Sequence, residues 1–77
     1  MKLSDLHSGQ EGIILSILTS EETKKRLQSF GIVERTRIEC LQKSPFGDPT
    51  AYFVRGSVVA LRKRYASKIE IALLRAR

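Results

Sequence analysis

The sequence predicts a mostly β protein: a small closed or partly closed barrel of about five strands, with one inserted α-helix and a short helical turn before the last strand. Three observations carry this expectation. Apolar and polar residues alternate at period two through the second half of the chain, the spacing of half-buried strands. Proline and glycine punctuate the alternation, most densely in Ser44-Pro45-Phe46-Gly47-Asp48-Pro49. The chain has only 77 residues, and in so small a sheet closure removes the edges that would otherwise be exposed.

The elements follow in order. Leu3 and Leu6 are spaced to cover one edge of a core from a single helical turn. Residues 12–18, Gly-Ile-Ile-Leu-Ser-Ile-Leu, are β-branched and apolar and read as a buried strand. Thr19 and Glu22 have the spacing of a capping box, and Glu21 and Glu22 suit the positive end of a helix dipole. That helix is expected to end near Ser29 or Phe30, with Gly31 closing it in a left-handed cap. Leu27 and Phe30 should then face the barrel, and Lys24, Lys25 and Gln28 the solvent.

Residues 36–43 alternate, with Ile38 and Cys40 on one face and Arg37, Glu39 and Leu41 on the other. In residues 44–49 proline sets φ near about −65°, glycine accepts positive φ, and Asp48 is placed to bond back to nearby backbone N–H groups. Residues 50–55 form the next strand, with Tyr52 and Val54 inward and Ala51, Phe53 and Arg55 outward. Gly56-Ser57 reads as a hairpin turn into residues 58–61. Residues 62–67 are long enough for one helical turn, and residues 68–74 form the last strand, with Ile69, Ile71 and Leu73 inward and Glu70 and Ala72 outward. An SH3-like barrel fits this length and order, and an OB-fold, with longer strands, is the alternative. All 77 residues are expected to form a single domain.

Composition narrows the function. A core of this size supplies only about 3–5 kcal/mol, and the lone Cys40 cannot close an internal disulfide. One His and one Cys fall short of the about four ligands of a zinc site. No run reaches the roughly 18 apolar residues of a membrane span. The N-terminal Met1-Lys2-Leu3-Ser4-Asp5-Leu6-His7 lacks the apolar core of a signal peptide. The expected location is therefore the cytosol, with Cys40 reduced.

No catalytic set, cofactor or metal site is expected. His7 lies in a flexible lead-in, Cys40 on an apolar strand face and Asp48 in a turn. The acidic residues are scattered, and no G-x-x-x-x-G-K-[ST] phosphate loop occurs. The net charge of +6, from 14 Lys and Arg against 8 Asp and Glu, fits either an acidic partner (nucleic acid, an anionic membrane surface or an acidic protein face) or solubility alone. One reading is a small basic nucleic-acid-binding barrel, with Phe46 and Phe53 beside Arg55 and Arg62-Lys63-Arg64. Against it, Tyr52 is expected inward and the remaining aromatics fall out of register. Lys24-Lys25-Arg26 has too few apolar neighbours for a membrane-surface helix.

An ordered set of motifs runs along nearly the whole chain: Leu3-Ser4-Asp5-Leu6 with Gly9 and Gly12, then Lys25-Arg26-Leu27-Gln28-Ser29-Phe30-Gly31-Ile32, then Pro45-Phe46-Gly47-Asp48-Pro49, then Gly56, Leu61-Arg62, Ala66 and Ile69. With these the sequence resembles the FeoA family of small SH3-like proteins that accompany the ferrous-iron transporter FeoB. The resemblance implies a non-enzymatic cytoplasmic accessory protein of bacterial ferrous iron uptake. Its implied partner is the cytoplasmic GTPase-bearing region of a FeoB-type transporter, which would recruit it to the inner face of the membrane. There are two departures. Val33-Glu34-Arg35-Thr36 stands where the family shows [VLR]-P-G-[TS], and Phe53 occupies a position usually polar in the family.

Two contact regions are expected on such a protein. One is the solvent side of the helix, Lys24, Lys25 and Gln28 flanked by Arg26, electropositive toward an acidic partner. The other is the loop Pro45, Phe46, Gly47, Asp48 and Pro49, with Phe46 at its tip, because loops on a rigid frame carry recognition. Arg26 and Arg62 have an alternative role, bracing strand ends or loop carbonyls.

Overall fold

A computed structural model describes residues 1–75 of the chain. Five strands, β1 (Glu11–Ile17), β2 (Arg37–Lys43), β3 (Thr50–Val54), β4 (Ser57–Leu61) and β5 (Ile69–Arg75), form one antiparallel sheet in the order β4-β3-β2-β1-β5. Helix α1 (Glu21–Ser29) joins β1 to β2, and the short α2 (Lys63–Ala66) joins the two ends of the sheet, β4 and β5. A 3-10 turn, Leu3–Asp5, precedes β1. All five strands contribute to one buried cluster, from Ile14 and Ile17 in β1 to Ile69 and Ile71 in β5, so the sheet wraps around a single core. Among the described residues no helix is long and apolar enough to cross a membrane.

The residues ahead of β1 are part of that core. Leu3 and Leu6 are fully buried, and the Lys2 N–H donates to Asp5 Oδ2 at 2.9 Å, closing the turn that presents them. Met1 and Lys2 run along the outer edge of β5: the Ile71 N–H donates to the Met1 carbonyl at 2.8 Å, and Lys2 bridges to Glu70. His7 is exposed, yet the segment around it is packed, contrary to the expected loose lead-in.

The cap of α1 lies one residue beyond the expected position. Ser20, not Thr19, is the N-cap, and its Oγ accepts from the Thr23 N–H at 3.2 Å. Glu21 and Glu22 fall in the first turn as anticipated. At the other end Gly31 has φ +87°, its N–H donates to the Gln28 carbonyl, and the Ile32 N–H reaches back to Leu27. This is a Schellman closure, and the apolar pair that accompanies it is the buried Leu27 and Ile32. Phe30 was expected on the barrel but is 50% exposed, because the helix ends there and turns it toward the rim. Lys24 was expected in solvent but is half-buried, with Nζ 3.8 Å from Glu34.

Bulges account for the strand errors. Along β1 the register against β5 shifts between Ile14 and Ser16, so Ile14 and Ile17 both point inward and Leu15 is left 52% exposed. On β5, Leu73 was expected inward but is exposed. Its partner across the ladder is Gly12, which offers no side chain to pack against it. A Cβ on Gly12 would stand 2.8 Å from the Ile71 Cδ1, which could move aside, and 3.0 Å from the Ala72 carbonyl oxygen, which is fixed in the ladder, so the close approach of the two strands favours the glycine.

Two turns use non-glycine residues at positive φ. The β3–β4 hairpin turns on Arg55 (φ +51°) and Gly56 (φ +81°), one residue before the expected Gly56-Ser57, and Ser57 already pairs with Val54. Positive φ at both central residues is the type I′ geometry that matches strand twist. Arg35 has φ +68°, and its N–H donates to the Ile14 carbonyl at 2.7 Å while the Ile14 N–H donates to Thr36. Arg35 thus stands where the resembled pattern has glycine, in the conformation glycine favours, which costs an L-residue about 1–2 kcal/mol. Arg35→Gly is expected to raise stability by up to about 1 kcal/mol, part of the relief being offset by a freer unfolded chain. Urea unfolding should show a higher midpoint at an unchanged slope.

Candidate functional site

The loop of residues 44–49 is held at both ends. The Ser44 N–H donates to the Pro49 carbonyl at 3.2 Å, and the Gly47 N–H to the Ser44 carbonyl at 2.8 Å, with Gly47 at φ +84°. The Asp48–Pro49 peptide is cis. Asp48 does not bond back within the loop. Its Oδ1 accepts from the N–H of Lys63, the first residue of α2, at 2.7 Å. The N-cap of α2, Arg62, provides no side-chain cap, so Asp48 supplies one from a distant loop. Proline and glycine restrain the loop locally, and Asp48 anchors it to α2. Phe46 at its tip is 96% exposed and Pro45 and Gly47 are exposed, while Asp48 and Pro49 are half-buried.

Asp48→Ala is expected to cost about 0.5–2 kcal/mol, the loss of a helix N-cap. Thermal unfolding followed by circular dichroism checks it, and Asp48→Asn, which keeps an acceptor, should recover most of the loss.

The helix residues divide. Lys25 and Gln28 are exposed on the outer side of α1. Arg26 is also exposed, but it borders a cavity of about 280 Å³ between α1, the end of β4 and α2. Helix α1 contributes Thr23, Leu27 and Phe30 beside it, β4 contributes Ala60 and Leu61, and the α2 side contributes Arg62, Arg64 and Tyr65. The Arg64 guanidinium stacks 4.8 Å from the Tyr65 ring centroid and donates to its hydroxyl at 2.9 Å. Ala60 also lines a second cavity, about 200 Å³, with Ser44 and Pro49. The two expected contact regions therefore border two separate cavities that share only Ala60, near the end of β4. Arg64 and Tyr65 were missed; the run Arg62-Lys63-Arg64 signalled charge there, but not that it would face Arg26.

The face that a nucleic-acid strand would use is electrostatically mixed. Phe53 is 42% exposed and lines a cavity with Arg37 and Arg55, but Glu11 and Glu39 share it, and Arg37 Nε lies 3.8 Å from Glu11. These carboxylates weaken the basic track on which strand binding rests. Tyr52 is buried as expected and offers no stacking surface; burial pushes its phenol up to about 12. Cys40 is free and buried, and burial raises its thiol above the ordinary value. Among the described residues no group of three or more His, Cys, Asp or Glu could hold a metal ion.

The wrapped five-stranded sheet, the helix between β1 and β2 and the helical turn before β5 define a small SH3-like β-barrel protein. The chain belongs to the FeoA family: the family model for the FeoA domain matches residues 1–73. It is 34% identical over 74 residues to a Porphyromonas gingivalis protein described as a fusion of Fe(2+) transport protein A with the Fe(2+) transporter FeoB. That match covers 96% of this chain and only 9% of the fusion protein. The solution structure of iron(II) transport protein A from Clostridium thermocellum superposes with a TM-score of 0.92 at 35% identity, covering 96% of this chain and 46% of that one. Stenotrophomonas maltophilia FeoA, described as an SH3 domain protein, shares the fold with a TM-score of 0.80 at 24% identity, covering 94% of this chain and 89% of that one.

Proposed function

We propose that this chain is a non-enzymatic accessory protein of bacterial ferrous iron uptake, working on the cytoplasmic side by direct contact with the GTPase-bearing region of a FeoB-type transporter. The observation that carries the reading is the Porphyromonas gingivalis relative, in which a segment similar to almost all of this chain is fused to the transporter. Fusion holds two modules at high effective concentration, so contact between them needs little intrinsic affinity. The proposed contacts are Lys24, Lys25, Arg26 and Gln28 on α1 and Pro45, Phe46, Gly47, Asp48 and Pro49 in the loop. The net charge of +6 supports an acidic patch on the partner.

Co-purification with the cytoplasmic region of a FeoB-type transporter, with and without guanine nucleotide, tests the reading. Retention in either state, weakening with salt, is the expected result. Absence of binding in both states overturns it.

A further inference from the structure

We infer that the cavity between α1 and α2 is a docking site for an acidic peptide segment that inserts one apolar side chain. That the segment belongs to the transporter rests on the function proposed above; the chemistry of the site does not. Arg26, Arg62 and Arg64 line one opening, and no carboxylate lines it with them. Among the described residues Arg26 and Arg62 have no ion-pair partner, while four other cationic groups of the protein do. Gathering like charges without counter-charge is unfavourable in the free protein, and an incoming anion relieves it. Guanidinium forks match carboxylates with paired hydrogen bonds. Arg64 is already oriented by the ring and hydroxyl of Tyr65, so binding orders fewer rotamers.

Apart from Thr23 and the hydroxyl of Tyr65, the rest of the cavity lining is apolar. Leu27 and Leu61 are buried beneath it, and Phe30, half-exposed at the end of α1, stands at its side. A bare phosphate would satisfy the arginines and leave this apolar surface uncovered. Of the two aromatic rings that line the cavity, Tyr65 is covered by Arg64, so only Phe30 offers an open face, without the succession of stacking platforms that nucleic-acid strands use. At about 280 Å³ the cavity falls just below the roughly 300–1,000 Å³ of small-molecule sites. That size suits one anchoring side chain with carboxylates on either side of it. Phe30 outside the core is then the apolar wall of the site.

The test is a 1H–15N NMR titration of the full chain with a blocked heptapeptide, a central Phe flanked by Asp. Amide shifts concentrated in residues 23–30 and 60–65 are expected. Replacing the peptide's Phe by Gly, or introducing Arg26→Glu with Arg62→Glu in the protein, should weaken binding at least tenfold. Both arginines are exposed, and the spectrum of the double variant verifies its fold. No shifts at millimolar peptide, or shifts elsewhere, overturn the site. Inorganic phosphate reproducing the same shifts overturns the peptide in favour of a bare anion site.

Co-purification with the transporter region separates this proposal from the one it rests on. Loss of binding in the double variant alone supports both. Equal binding by wild type and double variant overturns docking at the cavity and leaves the accessory function standing. If wild type does not bind, the accessory function falls and the peptide titration alone decides the cavity.

Discussion

Ile14→Ala is expected to unfold the protein at 25 °C. Ile14 is fully buried in β1, which pairs with β2 on one side and β5 on the other, and it sits across the ladder from the buried Ile71. Its carbonyl and N–H also hold the turn at Arg35 and Thr36. Truncating a buried isoleucine costs about 2–5 kcal/mol, from lost transfer energy and the cavity left behind. A single core of this size supplies only about 3–5 kcal/mol, and no disulfide reinforces it, since Cys40 is free. The adjacent Leu15 provides the internal control. It is 52% exposed on the bulge, so Leu15→Ala should stay within about 0.5 kcal/mol of wild type. Far-ultraviolet circular dichroism at 25 °C and a urea titration decide the matter. A folded spectrum at 25 °C and a cooperative urea transition with a midpoint close to that of wild type would sink the expectation.

The contrast between Ile14 and Leu15 also marks where the sequence stops being legible. Strands with polar residues on one face declare that face. Period two alone puts Ile38 with Cys40, and Tyr52 with Val54, on one face of their strands, and all four are buried. The glycines that close turns, Gly31, Gly47 and Gly56, were legible for the same kind of local reason, since each needs a positive φ. Residues 12–18 are apolar on nearly every position, so nothing in them announces which side is core or where a bulge falls. Leu73 obeys the alternation but runs past its packing partners to Gly12, a fact of pairing rather than of its own segment.

The candidate site follows the same division. The exposed Phe46 and the exposed outer face of α1 could be read from local pattern. The meeting of Arg26 with Arg62 and Arg64 is tertiary, because wrapping the sheet places the β4–α2 junction beside α1. The bond from Asp48 to Lys63 is of that kind too. A turn residue with a sufficient local explanation proved to have a longer-range one.

That bond bears on Phe46, whose loss is expected to have the largest effect on binding. Phe46→Ala should leave stability within about 0.5 kcal/mol of wild type, because a side chain 96% exposed makes almost no contact within the fold. Binding to the cytoplasmic region of a FeoB-type transporter should fall by about thirtyfold or more, the about 2 kcal/mol threshold of a hot-spot residue. The loop makes such a loss physically reasonable. Gly47 and Ser44 close its tip, and Asp48 ties its base to α2, so Phe46 is presented with little ordering left to be done on binding. Isothermal titration calorimetry paired with thermal unfolding separates the two roles of the loop. Phe46→Ala should change affinity alone, whereas Asp48→Ala should lower the melting temperature and weaken binding indirectly by loosening the tip. If Phe46→Ala binds within twofold of wild type while Arg26→Glu with Arg62→Glu does not, the loop is excluded from the interface and recognition lies in the arginine-lined cavity between α1 and α2.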